Sequence, residues 1–235
     1  MKSLAGSVLN PILDFLYPPV CFTCNTRLQD DEQLICTACW QSFDPVDPFD
    51  DAWRTMAAKL QAGGSVTGMV SCFLFEKDNR LQDVIHLLKY KGMKSLGVKL
   101  GREIGFRIRQ EFPSRHFDYI LPVPLHRVRR RERGYNQAEI ISRGIAMVIS
   151  APVDTRFLFR KKYTPSQTQL DIPRREENVA DAFRIHPKRA ALLDGTTVLI
   201  VDDVMTTGST ISACAKILKE SGVCRIYTAS VALAQ

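Results

Sequence analysis

Residues 198–201 (Val-Leu-Ile-Val) are four consecutive β-prone apolar side chains with no polar position among them. A run of this kind predicts a strand covered on both faces, as in a parallel sheet. Helix and strand signals alternate along the rest of the chain. Residues 68–75 read as a strand after Gly63 and Gly64. Residues 81–90 read as a helix, with Leu81, Val84, Ile85 and Leu88 on one face, and residues 96–112 repeat that period. Residues 119–121 form a short strand cut off by Pro122 and Pro124. A helix over 136–149 comes next, then a strand over 156–159, a polar loop over 161–175 and a helical turn over 176–182. After the apolar run come a helix ending at Glu220 and a last strand over 225–233. Such alternation predicts an α/β fold with a doubly wound parallel sheet.

The residues just after the apolar run carry chemistry. Asp202 and Asp203 stand at its carboxyl end, and Met205, Thr206, Thr207, Gly208, Ser209 and Thr210 then form a small, hydroxyl-rich turn that opens a helix. Ligands of open α/β sheets bind at the carboxyl ends of strands, and a helix N-terminus stabilises an anion. Gly208 lets the backbone approach a phosphate closely. Nothing upstream matches the GxxxxGK[ST] loop of a nucleoside triphosphatase. Too few residues come after Asp203 for a receiver domain.

Cys21, Cys24, Cys36 and Cys39 are spaced C-x2-C-x11-C-x2-C. Paired knuckles of this kind close a tetrahedral thiolate site with no open position, so the expected metal is structural zinc rather than disulfides or a redox pair. Residues 20–40 are too few to bury a core, and metal binding supplies their folding energy. Cys72, Cys214 and Cys224 lie singly among apolar residues and read as buried small hydrophobes. The 235 residues, 45% of them hydrophobic, allow one domain and an appendage. The expected organisation is an N-terminal segment and zinc module over 1–44, a Pro- and Asp-rich linker over 45–64 and a domain over 65–235. No apolar stretch is long enough to span a membrane, and residues 1–17 read as an amphipathic segment rather than a signal peptide. A cytoplasmic protein is expected.

The net charge of +7 suggests a polyanionic partner. Arg127, Arg129, Arg130, Arg131 and Arg133 form one basic group, and Arg160, Lys161, Lys162, Arg174 and Arg175 a looser second. Both flank the strands of the predicted phosphate site, which favours phosphate contact over a merely solvated face.

The run from Val198 to Thr210 resembles the signature of class I phosphoribosyltransferases that binds phosphoribosyl pyrophosphate (PRPP). With the four cysteines, Leu88-Lys89-Tyr90-Lys91-Gly92, LPVPLHRVRRRERGYNQA at 121–138, Gln167, Thr168, Leu170, Arg174 and NVADAF at 178–183, the chain is identified as a member of the ComF family of competence-related proteins. The resemblance covers essentially the whole chain. It implies a phosphoribosyltransferase-like domain behind a zinc finger, and a role in DNA uptake and handling. Asp202 and Asp203 would hold ribose hydroxyls, and Thr206 to Thr210 the 5′-phosphate. Pro122, Val123 and Pro124 would form the pyrophosphate loop, and Mg²⁺ would accompany PRPP. Arg127 to Arg133 would hold pyrophosphate or a nucleic-acid backbone, which the sequence does not decide, and Lys89 and Lys91 would add charge. The loop over 161–175 corresponds to a lid. The leading reading is a protein that handles single-stranded DNA, with other competence proteins as candidate partners, and carries a PRPP or related phosphosugar site. Phe22 and Trp40 are its candidate stacking residues. The alternative is an active nucleobase transferase that releases pyrophosphate, although no segment reads as a base-binding hood.

Overall fold

The computed structural model describes residues 18–76, 79–161 and 182–234. The amphipathic segment over 1–17, most of the lid loop and the turn over 176–181 lie outside the described residues. Along the chain run α1 (Thr37–Gln41), α2 (Asp51–Ala62), β1 (Gly68–Phe75), α3 (Arg80–Tyr90), α4 (Lys94–Glu111), β2 (Tyr119–Pro122), α5 (Arg127–Arg133) and α6 (Gln137–Ile149). They are followed by β3 (Leu158–Arg160), β4 (Phe183–Ile185), a 3₁₀ turn (Pro187–Leu193), β5 (Thr197–Met205), α7 (Ser209–Glu220) and β6 (Arg225–Ala234).

Four strands form a parallel sheet in the order β1-β6-β5-β2. The unbroken apolar run now has its reason, because the two faces of β5 feed two different cores. Leu199 and Val201 pack with Ile140, Ile141 and Ile145 of α6 on one face. Val198 and Ile200 pack with Ile211, Cys214 and Leu218 of α7 on the other. The connections out of β2 and β5 leave in opposite directions. From β2 the chain crosses α6 and returns along the outer edge of that strand, where Val153 bridges Ile120 in parallel. From β5 it crosses α7 to β6. Diverging connections leave a crevice above the ends of β2 and β5, and such switch points hold ligands.

Two glycines place α6 over the sheet. A Cβ on Gly101 of α4 would lie 2.1 Å from the Ile141 carbonyl oxygen, and one on Gly144 of α6 would lie 2.2 Å from that of Val98. The helices therefore cross at backbone contact, and this crossing sets where the N-terminus of α6 meets the crevice.

Several expectations change. The strand of the apolar run continues through both aspartates to Met205, since Asp202 pairs with Ser230 and Met205 with Leu233 of β6. The strand expected over 156–159 is β3, which pairs antiparallel with β4 in a separate ribbon rather than joining the sheet. Within the span read as linker, residues 51–62 form α2. Its buried Met56, Ala57 and Leu60 carry a helical period that the flanking Pro and Asp residues obscure. The basic run folds as α5, with a His126 N-cap and left-handed Gly134 at its end. Cys72 and Cys214 are buried, but Cys224 is exposed: it lies in the turn just before β6, outside the sheet.

Candidate phosphosugar site and cysteine centre

The carboxylates of Asp202 and Asp203 are aligned by their own backbone. Asp203 N–H donates to Asp202 Oδ1 at 2.8 Å, and Val204 N–H donates to Asp203 Oδ1 at 2.8 Å. Lys89 Nζ, at the end of α3, lies 3.2 Å from Asp203 Oδ2. Tyr135 holds that end of α3 in place by donating its hydroxyl to the Leu88 carbonyl. Burial, and then the charge of Asp203, push the Asp202 carboxyl up to about 7. Two adjacent carboxylates removed from water favour one proton or an arriving cation between them.

Beyond the strand, Thr206, Thr207 and Gly208 turn into α7. Thr207 Oγ1 and Ser209 Oγ are 2.9 Å apart, and Gly208 holds φ +74°. Gly208 at the N-cap of α7 offers no side-chain acceptor; Ser209 N–H makes a long hydrogen bond, 3.4 Å, to Thr207 Oγ1, and the helix N-terminus with these hydroxyls suits an anion. A Cβ on Gly208 would lie 2.7 Å from Met56 Sδ of α2, so α2 covers the turn closely. Met205 is different in kind: it is buried, yet it lines the small pocket at this turn with Asp202 and Thr206 to Thr210.

The opposite wall is assembled from several segments. Lys89, Val123, Pro124, Leu125, Arg129, Arg133, Asn136, Gln137 and Arg160 surround a cavity of about 170 Å³ together with Asp202, Asp203 and Thr210. Asn136 organises it. Its Oδ1 caps α6 by accepting from Ala138 N–H at 3.1 Å, and its Nδ2 donates to the Val123 carbonyl at 2.9 Å. The loop after β2 is thereby pinned to the N-terminus of α6. Arg133 donates to Gln137 Oε1 at 3.0 Å and lies over the Tyr90 ring at 5.4 Å.

Of the expected residues, Lys89, Val123, Pro124, Arg129 and Arg133 thus converge on the aspartates. Pro122 and Arg127 line a neighbouring groove instead. Arg131 and Lys91 are exposed, on α5 and at the C-cap of α3, and line neither space. Asn136 and Gln137 were not singled out from the sequence. An Asn directly before a helical period is an N-cap signal, and it would have marked this position.

The Sγ atoms of Cys21, Cys24, Cys36 and Cys39 all lie within 4.8 Å of one another, with Cys24 and Cys36 at 3.7 Å. A tetrahedron with Zn–S bonds of about 2.3 Å separates its sulfurs by about 3.8 Å, so the four thiolates fit zinc. Trp40 beside them is partly buried. It packs with Phe43 and Phe73 at 5.5 and 5.9 Å, with Lys99 Nζ at 4.9 Å from its ring centre. It docks the module on β1. Phe22 is exposed.

Family models agree with both parts. The phosphoribosyl transferase domain matches residues 131–234 and the double zinc ribbon domain residues 12–49. Between 12 and 49 the chain has four cysteines and no histidine, which is enough for one such centre. Competence protein F of Haemophilus influenzae is 36% identical over 44% of this chain and 45% of its own length. Competence protein ComFC of Bacillus subtilis is 24% identical over 88% of this chain and 82% of its own. The chain belongs with the ComF proteins. DNA utilization protein YhgH of Escherichia coli is 28% identical over 62% of this chain and 64% of its own length, so the match to Competence protein F spans about half, and that to YhgH under two thirds, of the relative's length. Among solved structures, adenine phosphoribosyltransferase of Saccharomyces cerevisiae aligns at 14% identity over 77% of this chain and 89% of that one, with a TM-score of 0.39. The ComF-type chain therefore joins a phosphoribosyltransferase-type domain to a four-cysteine ribbon, and no helix among its described residues is long and apolar enough to cross a membrane.

Proposed function

We propose that this protein binds PRPP or a closely related phosphosugar in the crevice between β2 and β5, and that it works on single-stranded DNA with its basic surface. One observation carries the first part: two aspartates, an uncapped helix N-terminus with hydroxyls, and an arginine-lined wall converge on one crevice. Asp202 and Asp203 accept hydrogen bonds from the ribose hydroxyls. Thr206, Thr207, Ser209 and Thr210 with the first N–H groups of α7 take the 5′-phosphate. The loop of Val123 and Pro124, with Arg129 and Arg133, faces the diphosphate. Mg²⁺, when bound with PRPP, neutralises diphosphate charge, and the paired carboxylates of this site suit a cation brought by the ligand. The relatives' names, competence and DNA utilization, and the net charge of +7 support the second part.

A transferase reading has one observation in its favour. Helix α2 stands over the phosphate turn, and between them lies a cavity of about 610 Å³ lined by Ala52, Met56, Lys59, Leu74 and Thr206, among others. That volume lies within the range of small-molecule sites, so α2 is a candidate for the hood that the sequence did not reveal. Calorimetric titration of Mg²⁺-PRPP into the zinc-loaded protein tests the binding reading, with Asp203→Asn as control. Heat of binding that is lost in the variant is expected, and no binding by the wild type overturns it. Following ³¹P signals with a panel of bases then separates the readings: free pyrophosphate that requires one base makes the protein a transferase, and unchanged PRPP leaves it a binding protein.

A further inference from the structure

Next to the phosphosugar cavity lies a second, larger space of about 480 Å³ between the loop after β2, α5 and the β3 strand of the ribbon. Arg127, Arg130, Arg156 and Arg160 line it with Phe159 and His186. The acids nearby are already engaged. Glu139 pairs with Arg143 at 2.7 Å and with Arg130 at 3.7 Å, and Asp154 pairs with Arg189 at 2.6 Å and Arg156 at 3.1 Å. The arginines still outnumber the acids, so the groove is positive. Phe159 is 41% exposed, unlike its strand neighbour Leu158, which is buried in the core beneath. Leaving a phenyl ring in water forgoes burial, and here the ring stands among cations.

We propose that this groove seats a segment of single-stranded DNA, with a base stacked on Phe159 and the adjoining phosphates on Arg127, Arg130 and Arg156. The inference rests on the nucleic-acid part of the proposed function and gives it a place. A cationic groove with an exposed ring is what strand binding requires, since arginines track the backbone and any base can stack. Duplex DNA keeps its bases stacked inside and offers none to the ring. The cysteine module is the poorer platform, because Trp40 is partly buried and packed against Phe43 and Phe73, which leaves Phe22 as its exposed ring. Arg160 lines both the groove and the phosphosugar cavity. Strand and phosphosugar would therefore share one lining residue.

Anisotropy of a short fluorescent oligothymidylate, measured on the full zinc-loaded chain, tests this. Phe159→Ala should weaken binding about tenfold, in line with stacking of about 1–3 kcal/mol per base. Phe159→Tyr should bind as the wild type does. Arg127→Ala and Arg156→Ala should each lower the slope of log affinity against log salt by about 1. Mg²⁺-PRPP binding to Phe159→Ala, measured by calorimetry, should be unchanged. Wild-type affinity in Phe159→Ala and the arginine variants, with loss in Phe22→Ala, would place the strand on the cysteine module and overturn the groove alone. A wild type that binds no oligonucleotide at low salt would sink the nucleic-acid reading itself. Loss of PRPP binding in Phe159→Ala would also overturn the proposal, since Phe159 would then belong to the phosphosugar site or its fold.

Discussion

The two walls of the crevice are built differently. The β5–α7 wall is one continuous segment whose carboxylates, hydroxyls and turn are held by neighbours one or two residues away. The facing wall is assembled from the end of α3, the loop after β2, α5, the start of α6 and the end of β3. Its parts are kept together by long-range contacts, such as Asn136 to Val123 and Tyr135 to Leu88. The first wall answers to local chemistry, and the second to how helices pack elsewhere.

The sharpest way to break this contrast is at the helix crossing. Gly144→Val would drive its side chain into the Val98 carbonyl and separate α4 from α6, costing about 3 kcal/mol of stability. Thermal denaturation should show the loss. Diphosphate affinity should fall more than ribose 5-phosphate affinity, because only the assembled wall moves. Equal losses would mean that the two walls are not independent.

Asp202 gives the next effect. Its folded carboxyl titrates at about 7, whereas an unfolded aspartate titrates near 3.9. The folded state therefore holds an extra proton between those values, and stability falls as pH rises through that window. Asp202→Asn removes the cost. Chemical denaturation should find it more stable than the wild type by on the order of 2 kcal/mol at pH 8 and little changed near pH 4, with phosphosugar binding lost. A variant that is no more stable at pH 8 would show that Lys89 already offsets the charge.

The smallest effect belongs to the turn. Gly208→Ala imposes a left-handed conformation on a residue with a side chain, which costs about 1–2 kcal/mol, and brings that side chain against Met56. The loss should fall on affinity for inorganic phosphate and ribose 5-phosphate, leaving pyrophosphate contacts intact. Calorimetry with the three ligands reads the difference.

The same contrast explains what was legible in the chain. The four cysteines, the apolar β5 run and the acid-then-hydroxyl turn are short-range patterns, and each falls where its spacing predicts. The Arg127 to Arg133 run was visible as charge, but its division was not. A helix turns its residues to different sides, so Arg129 and Arg133 face the cavity, Arg127 and Arg130 the groove, and Arg131 solvent. Trp40 shows the limit from the other direction. Its place beside Cys39 suggested stacking, but the ring is used to dock the cysteine module on β1.

By itself the sequence determined the sheet's buried strands, the cysteine centre and the contiguous half of the proposed phosphosugar site, because periodicity, ligand spacing and turn chemistry act over a few residues. Only the tertiary structure decided that α2 covers the phosphate turn, that β3 leaves the sheet to form a ribbon with β4, and that Lys89, Asn136, Arg133 and Arg160 meet across one crevice. Those contacts join residues far apart in the chain. They exist because helices that cross at Gly101 and Gly144, and strands that diverge at β2 and β5, bring the segments together while burying their apolar faces.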